Sequence, residues 1–204
     1  MHIPFCDTAE IEVLTFENAM MTTESSEEYD RNKWLYVPDF YSEYRYILGT
    51  RGERPLICIG INPSTAQPDK LDNTLKSVQR IALSNGFDSF IMFNVYAQRA
   101  TNPDDMEKEC NAVLHRENMK AFEYVLSLNR DAAASVWAAW GAIIEKRDYL
   151  PECVSDMIKA GDKYGARWFS AGKLSKKGHP HHPLYLPKNS LLEPFDVKEY
   201  ISKL

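Results

Sequence analysis

The chain has few cysteines and no long apolar segment, and both shortages exclude classes of protein. Its 204 residues include four cysteines, scattered at Cys6, Cys58, Cys110 and Cys153 without a C-x-x-C pair. This spacing argues against a zinc ribbon or a four-cysteine iron–sulfur cluster and implies no disulfide framework. No apolar run could span a bilayer, and the first residues lack the basic and apolar regions of a signal peptide. We therefore expect a cytoplasmic protein that does not bind membranes.

An excess of positive charge is also missing. The chain has 24 Lys and Arg against 29 Asp and Glu, a net charge of −5. This balance gives no strong overall attraction for nucleic acid, although it is compatible with a local basic patch. Signatures of a P-loop, a dinucleotide-binding Rossmann loop and a zinc deaminase are absent too. We expect no cofactor and no metal.

The rest of the chain has the composition of an ordinary globular protein. Its hydrophobic fraction is 44% and its charged fraction 26%. The length fits one monomeric domain over residues 1–204, with a core at 55–186 and an N-terminal extension at 1–50.

Short apolar segments alternate with helical ones along that core. We predict buried strands at 56–61, 89–97, 134–141 and 166–172, and helices at 73–84, 104–128, 141–149 and 151–160. The aromatic-rich stretch 34–49 suggests edge strands around a Pro38-Asp39 turn, 129–131 suggests a turn, and a short helix ends the chain. The alternation predicts an α/β fold: a three-layer α/β/α sandwich around a central, mainly parallel four-stranded sheet.

The first buried strand ends abruptly in Asn-Pro-Ser-Thr, at residues 62–65. Proline cannot continue a central strand, and the polar residues favour a turn. Ligands of open α/β sheets bind at the carboxyl ends of the strands, so this loop is a candidate active-site loop. On composition alone, an ordinary strand-to-helix connection capped by Ser64 or Thr65 is the better interpretation.

Four segments, taken together, favour the active-site interpretation of this loop over an ordinary connection. They read GINPST (60–65), IMFNVYAQRATN (91–102), VWAAWG (136–141) and HPHHPLYL (179–186). In this order they resemble the motifs of the uracil-DNA glycosylase superfamily over about 56–186, and the first motif is closest to its mismatch-specific branch. The NPSTA and NVYAQRAT segments also resemble a bacterial and phage family of unknown function, which we take as an outlying branch of the same fold. Fold is weaker support for a reaction than for an architecture.

The resemblance implies a role for each matched residue. Asn62 matches the residue that positions the attacking water, and Asn94 matches the asparagine that reads the base. The base oxygen would receive a hydrogen bond from His179 or from His182, because an extra residue in the motif leaves the alignment open. For Asn94, an ordinary strand-end role carries equal weight. The three histidines, with His181 taken as exposed, leave a metal site as an alternative.

The remaining expected contacts surround these residues. Substrate contacts are expected from Ser64, Thr65 and Arg99, although a solvated arginine is the simpler interpretation of Arg99 on sequence alone. Leu184 and Tyr185 could fill the gap left by a flipped base. A concentration of lysines beside the histidines would contact DNA phosphates, although such runs are more often solvated surface: Lys173, Lys176, Lys177 and Lys188.

The chain departs from the superfamily in its first motif. Uracil-specific members carry a tyrosine that blocks the thymine methyl, and here the stretch is Ser64-Thr65-Ala66. The expected activity is therefore hydrolysis of the N-glycosidic bond of a flipped pyrimidine that is mismatched or substituted at its fifth carbon, in repair or in defence against phage DNA. Three alternatives stay open: a non-catalytic DNA binder, a hydrolase of free nucleosides or nucleotides, and a metal hydrolase.

Overall fold

A seven-stranded mixed sheet forms the centre of the computed structural model, which describes residues 1–23, 29–128 and 133–204. The spatial order is β1-β2-β4-β3-β5-β6-β7. The central strands β4, β3, β5 and β6 are parallel to one another, whereas β1, β2 and β7 pair antiparallel at the two edges. The strands are β1 (Trp34–Val37), β2 (Ile47–Thr50), β3 (Pro55–Gly60), β4 (Ser89–Asn94), β5 (Ser135–Ala138), β6 (Arg167–Ala171) and β7 (Leu192–Pro194).

Helices cover both faces of this sheet. The five α-helices of the described residues are α1 (Phe16–Met21), α2 (Asn73–Ser84), α3 (Ala112–Ser127), α4 (Leu150–Lys163) and α5 (Val197–Ile201). Helix α2 packs with Leu56, Cys58 and Met92 in one apolar cluster. Helices α3 and α4 pack with Ile57, Ile59 and their neighbours in a second cluster. Alternate residues of β3 thus point into two different cores, which explains why the strand reads as a continuous apolar run.

The expected α/β class and the parallel core are confirmed, but the expected sheet of four strands is wrong. Strands β1 and β2 extend the sheet at one edge, as the aromatic stretch suggested, and β7 adds an unexpected strand at the other. The approach of β2 to β4 depends on Gly49, because a Cβ there would lie 2.3 Å from the Phe90 carbonyl oxygen.

The long helix expected at 104–128 begins later than predicted. A short 3-10 helix spans Pro103–Asp105, and α3 starts only after Asn111, whose side chain accepts hydrogen bonds from Val113 N and Leu114 N. The intervening segment is drawn inward because Glu107 accepts hydrogen bonds from the Thr8 backbone and hydroxyl. Helix 141–149 is a 3-10 helix over Gly141–Lys146, and the strand at 89–97 ends at Asn94. The turn expected at 129–131 lies outside the described residues.

The connections put the carboxyl ends of the parallel strands at one edge of the sheet. From β3 the chain crosses through α2 to β4, and from β4 it crosses through α3 to β5 on the other side of β3. Such a reversal of direction leaves a crevice beyond the strand ends, where open α/β sheets bind ligands. Within the described residues, no helix combines the length and apolarity needed to cross a membrane.

Candidate functional site

A cavity of about 840 Å³ occupies this crevice. Its volume is within the range of pockets that hold small molecules or single bases. Segments from all four motifs line it, although they are up to about 120 residues apart in the chain. The cavity brings together most of the expected site residues: Asn62, Ser64, Thr65, Asn94, Lys173, His179, His182, Leu184 and Tyr185.

Asn94 is the last residue of β4, and its amide has no partner. The residue is 1% exposed, and neither Oδ1 nor Nδ2 makes a hydrogen bond to any residue that the structure describes. Pairing with Gly60 of β3 and a 3.0 Å hydrogen bond from Asn118 Nδ2 to its carbonyl oxygen fix its backbone. A buried polar group without a partner is costly, and natural structures contain few of them. The amide therefore presents one acceptor and two donors to a ligand in the cavity.

Asn62 holds its amide in a defined orientation in the loop after β3. Its Nδ2 donates to the Ala100 carbonyl oxygen at 2.7 Å and to the Pro63 carbonyl oxygen at 3.1 Å. Oδ1 accepts no hydrogen bond from any described residue, so it is the free end of the side chain. A half-buried amide oxygen fixed in this way can orient a water, although it is too weak a base to deprotonate one.

Arg99 lies beneath that loop instead of in solvent. It is fully buried, Nη1 donates to the Ser64 carbonyl oxygen, and the guanidinium stacks 4.3 Å from the centre of the Tyr41 ring. Burial lowers the pKa of Arg99. Because Arg99 does not line the cavity, its place fits support of the loop that carries Ser64 and Thr65.

His179 is buried at the cavity wall and belongs to a chain of hydrogen bonds. Trp140 Nε1 donates to the Tyr200 hydroxyl at 3.0 Å, and that hydroxyl lies 2.9 Å from His179 Nδ1. Because an indole nitrogen can only donate, the Tyr200 oxygen accepts from it and its proton is free to reach Nδ1. When the Tyr200 hydroxyl donates to Nδ1, the proton of a neutral His179 lies on Nε2, which is 3.4 Å from Glu145 Oε1.

A neutral His182 also has Nε2 as its hydrogen-bond donor. Its Nδ1 accepts a 3.4 Å hydrogen bond from Leu184 N, which leaves Nε2 as the donor. Burial lowers the pKa of His182, with a smaller contribution from His181, while Asp72 opposes the shift. His182 is therefore neutral near pH 7. The sequence predicts an exposed His181, and this prediction is wrong: the residue is half-buried and also lines the cavity.

The four lysines differ in their surroundings. Lys173 is exposed at the cavity, whereas Lys176 and Lys188 are exposed but do not line it. Lys177 pairs with Glu145 at 2.8 Å, so part of the expected positive charge is compensated. At the rim, Leu184 is 41% exposed and Tyr185 is 74% exposed, which fits side chains that could enter a duplex. No group of three or more metal-ligating side chains occurs in the described parts of the chain.

Three features of the site were missed from the sequence. Tyr200 reaches His179 from the terminal helix α5, Glu145 faces His179 from the 3-10 helix, and Arg45 lines the cavity from the residues before β2. Nothing in a sequence marks such residues, because their neighbours are far away in the chain.

Comparison with known proteins places the chain in a family. A family model described as a protein of unknown function (DUF1643) matches residues 45–184. The match spans more than half of the chain, and the chain therefore belongs to this family. No curated protein and no solved structure matches the chain.

Proposed function

We propose that this member of the DUF1643 family is a monomeric DNA glycosylase with a uracil-DNA glycosylase-like fold. Its reaction would be the hydrolysis of the N-glycosidic bond of a flipped-out pyrimidine, leaving an abasic site. The observation that carries the proposal is the unpartnered amide of Asn94, buried at the strand end where the glycosylase motif has its base-reading asparagine. A pyrimidine edge offers the donors and acceptors that this amide lacks.

The other residues fit the steps of that reaction. Water held by Asn62 Oδ1 would add to C1′ of the sugar while the C1′–N bond breaks and its electron pair goes to the base. An Nε2–H from His179 or His182 would donate to the base oxygen that becomes negative. The proton lost by the water ends on solvent or on the departed base. Because Asn62 orients water without taking its proton, turnover would be slow.

The space around the base supports a substrate with a substituent at its fifth carbon. The stretch after Pro63 is Ser64-Thr65-Ala66, so no aromatic ring closes this side of the cavity. Gly60 also lines the cavity, and its lack of a side chain lets Met92 and Asn94 approach it, since a Cβ there would lie 2.6 Å from Met92 Cε and 3.3 Å from Asn94 Oδ1. Mismatched thymine and modified cytosines are the expected substrates, in DNA repair or in defence against phage.

The test is an incubation with duplexes that carry uracil, mismatched thymine or a modified cytosine, followed by alkali. Alkali converts abasic sites into strand breaks. We expect breaks on a substituted pyrimidine that disappear with Asn62→Ala, provided that the variant keeps the circular dichroism spectrum of the wild type. A wide preference for plain uracil would contradict the pocket argument. Tight, salt-dependent binding without breaks would favour a non-catalytic DNA binder.

A further inference from the structure

Two arginines are buried side by side beneath the loop at 62–66. Arg45 is 1% exposed and Arg99 is 0% exposed. Both donate to the same acceptor, the Ala66 carbonyl oxygen, at 3.1 Å from Arg45 Nη1 and 3.4 Å from Arg99 Nη1. In the part of the chain that the structure describes, neither guanidinium forms an ion pair with a carboxylate.

This arrangement is unfavourable in the absence of a ligand. Charges removed from water are normally paired, and two like charges in contact repel each other. Burial, and then the charge of Arg99, lower the pKa of Arg45 to about 9. The groups that act in the opposite direction, Tyr36, Asp72 and Tyr41, do not restore its ordinary value.

The two arginines differ in what they face. The Nη atoms of Arg99 are directed at the loop and at the Tyr36 hydroxyl, which accepts from Nη2 at 3.1 Å. Arg45 lines the cavity, whereas Arg99 does not. The buried Nε of each arginine has no hydrogen-bond partner among the described residues, so only the unused donor of Arg45 lies at the cavity. One wall of the cavity thus contains a buried guanidinium with an unused donor.

The start of helix α2 adds to the positive potential on the same side. Asn73, Thr74 and Leu75 of its first turn line the cavity, and a helix N-terminus carries a partial positive charge. The Asp72 side chain, which also lines the cavity, caps the helix by accepting from Leu75 N at 2.9 Å. Its carboxylate offsets the partial positive charge of the helix end and part of the charge of Arg45. Arg45 and the first turn of α2 line the same cavity.

We propose that the ligand of this cavity carries an anionic group, a carboxylate or a phosphate ester, which binds to Arg45 at the N-terminal end of α2. The group would supply the ion-pair partner that no described carboxylate provides, and its oxygens would accept from Arg45 Nε and from the helix amides. This inference rests on the proposed function only in taking this cavity as the substrate site. In a glycosylase, the anionic group is either a substituent of the base or a phosphate of the flipped nucleotide.

Binding of small probes by calorimetry tests the inference without any turnover. Thymine and 5-carboxyuracil differ at the fifth carbon, where one has a methyl group and the other a carboxylate, so this pair tests for a charged base substituent. Uridine and uridine 5′-monophosphate differ in the phosphate, so the second pair tests for a nucleotide phosphate. We expect at least one anionic probe to bind ten or more times more tightly than its neutral partner. A preference for 5-carboxyuracil would identify a base substituent, and a preference for the monophosphate would identify a nucleotide phosphate.

Variants separate a ligand-binding arginine from a structural one. Arg45→Met should remove the preference for the anionic probe while leaving the melting temperature unchanged or raised, because an unpaired buried charge is removed. Arg45→Lys should retain part of the preference. Arg80→Met is the matched control, since Arg80 lies on α2, also has an unpartnered buried Nε and does not line the cavity.

The outcomes are distinct from those of the glycosylase assay. Equal binding of neutral and anionic probes would overturn the inference, as would an anion preference that survives in Arg45→Met. Anion binding that depends on Arg45, without release of any base, would support the inference and count against the glycosylase. Base release from neutral substituted pyrimidines, without any preference for an anionic probe, would support the glycosylase and overturn the inference.

Discussion

Asn94 and Asn118 are neighbouring buried asparagines, and their side-chain NH2 groups differ in hydrogen bonding. Asn118 Nδ2 donates to the carbonyl oxygens of Asn94 and Val95 at 3.0 and 3.3 Å, whereas the Asn94 amide has no partner. We expect Asn94→Leu to raise the free energy of unfolding by about 1 kcal/mol, since an unsatisfied polar group is removed. Asn118→Leu should lower it by about 1–3 kcal/mol because two carbonyl oxygens lose a donor. Urea unfolding measures both, and a loss of stability in Asn94→Leu would show that its amide serves the fold.

Tyr200 is the second residue whose role can be separated from folding. Its hydroxyl lies 2.9 Å from His179 Nδ1 and orients that ring. With His179 rather than His182 as the donor to the base, Tyr200→Phe should lower kcat on the order of 10²-fold with little change in KM, as expected when a catalytic group is misplaced. Tyr149→Phe is the control, because Tyr149 is also buried but its hydroxyl donates to the Glu107 carbonyl oxygen and not to His179. Equal effects of the two variants on kcat would contradict a positioning role for Tyr200.

The expectations from sequence were best for residues that end a predicted strand. Asn94 is the last residue of β4, and Asn62 lies two residues after the end of β3. The pattern of an apolar run that ends in a polar residue places both at one edge of a parallel sheet. Arg45 and Tyr200 have no such signal. Their partners are Ala66 and His179, and only the folded chain brings them together.

At the scale of elements, the pairing of β2 with β4 depends on one glycine. A Cβ at Gly49 would lie 2.3 Å from the Phe90 carbonyl oxygen and 2.7 Å from Ile91 Cα, and backbone atoms in a central strand cannot move aside. Gly49→Ala should therefore lower the free energy of unfolding by about 3 kcal/mol, the upper end of the usual cost of overpacking.

Gly60→Ala provides the comparison, because its added methyl group would mainly meet the flexible end of Met92. This variant should unfold close to the wild type and narrow the cavity beside Asn94. Urea unfolding of the two variants distinguishes the role of Gly49 in strand pairing from the role of Gly60 at the cavity. A larger loss of stability in Gly60→Ala than in Gly49→Ala would contradict both assignments.

Helix boundaries were less predictable than helix existence. The caps of α2 could be located from Asp72 and from Asn85-Gly86, and the helix spans the expected residues. The start of α3 could not, because the residues before it are also compatible with a helix. This stretch stays non-helical because Glu107 accepts from Thr8, which is 99 residues away, and its backbone N donates to Gln98 Oε1, which is nine residues away.

At the scale of the whole molecule, acid should destabilise the protein in two steps. The pKa of His182 is lowered from 6.5, so below about pH 6.5 the unfolded chain binds a proton that the folded chain resists. Burial of Glu117 favours its neutral form, but hydrogen bonds from Phe16 N, Arg116 and Lys120 outweigh this and lower its pKa from 4.5. The stability from Glu117 is present above that value and is lost as the pH falls through the lower folded-state pKa.

Melting temperatures between pH 8 and pH 3 measure both steps. We expect His182→Gln to remove the decline near pH 6.5 and Glu117→Gln to reduce the decline below pH 4.5. A melting temperature that rises between pH 7 and pH 5 would contradict the direction assigned to His182.

The most direct test of the whole account measures free base released from a duplex that contains one substituted pyrimidine, in wild type and in Asn94→Leu. The amide of Asn94 is the group to which the proposed site assigns recognition of the base. We predict that the wild type releases the modified base and that folded Asn94→Leu releases it at least about 10²-fold more slowly, because the loss of a transition-state contact of about 2.7 kcal/mol gives that factor. Release at an equal rate by the two proteins, or no release by the wild type from any substituted pyrimidine, would contradict the account.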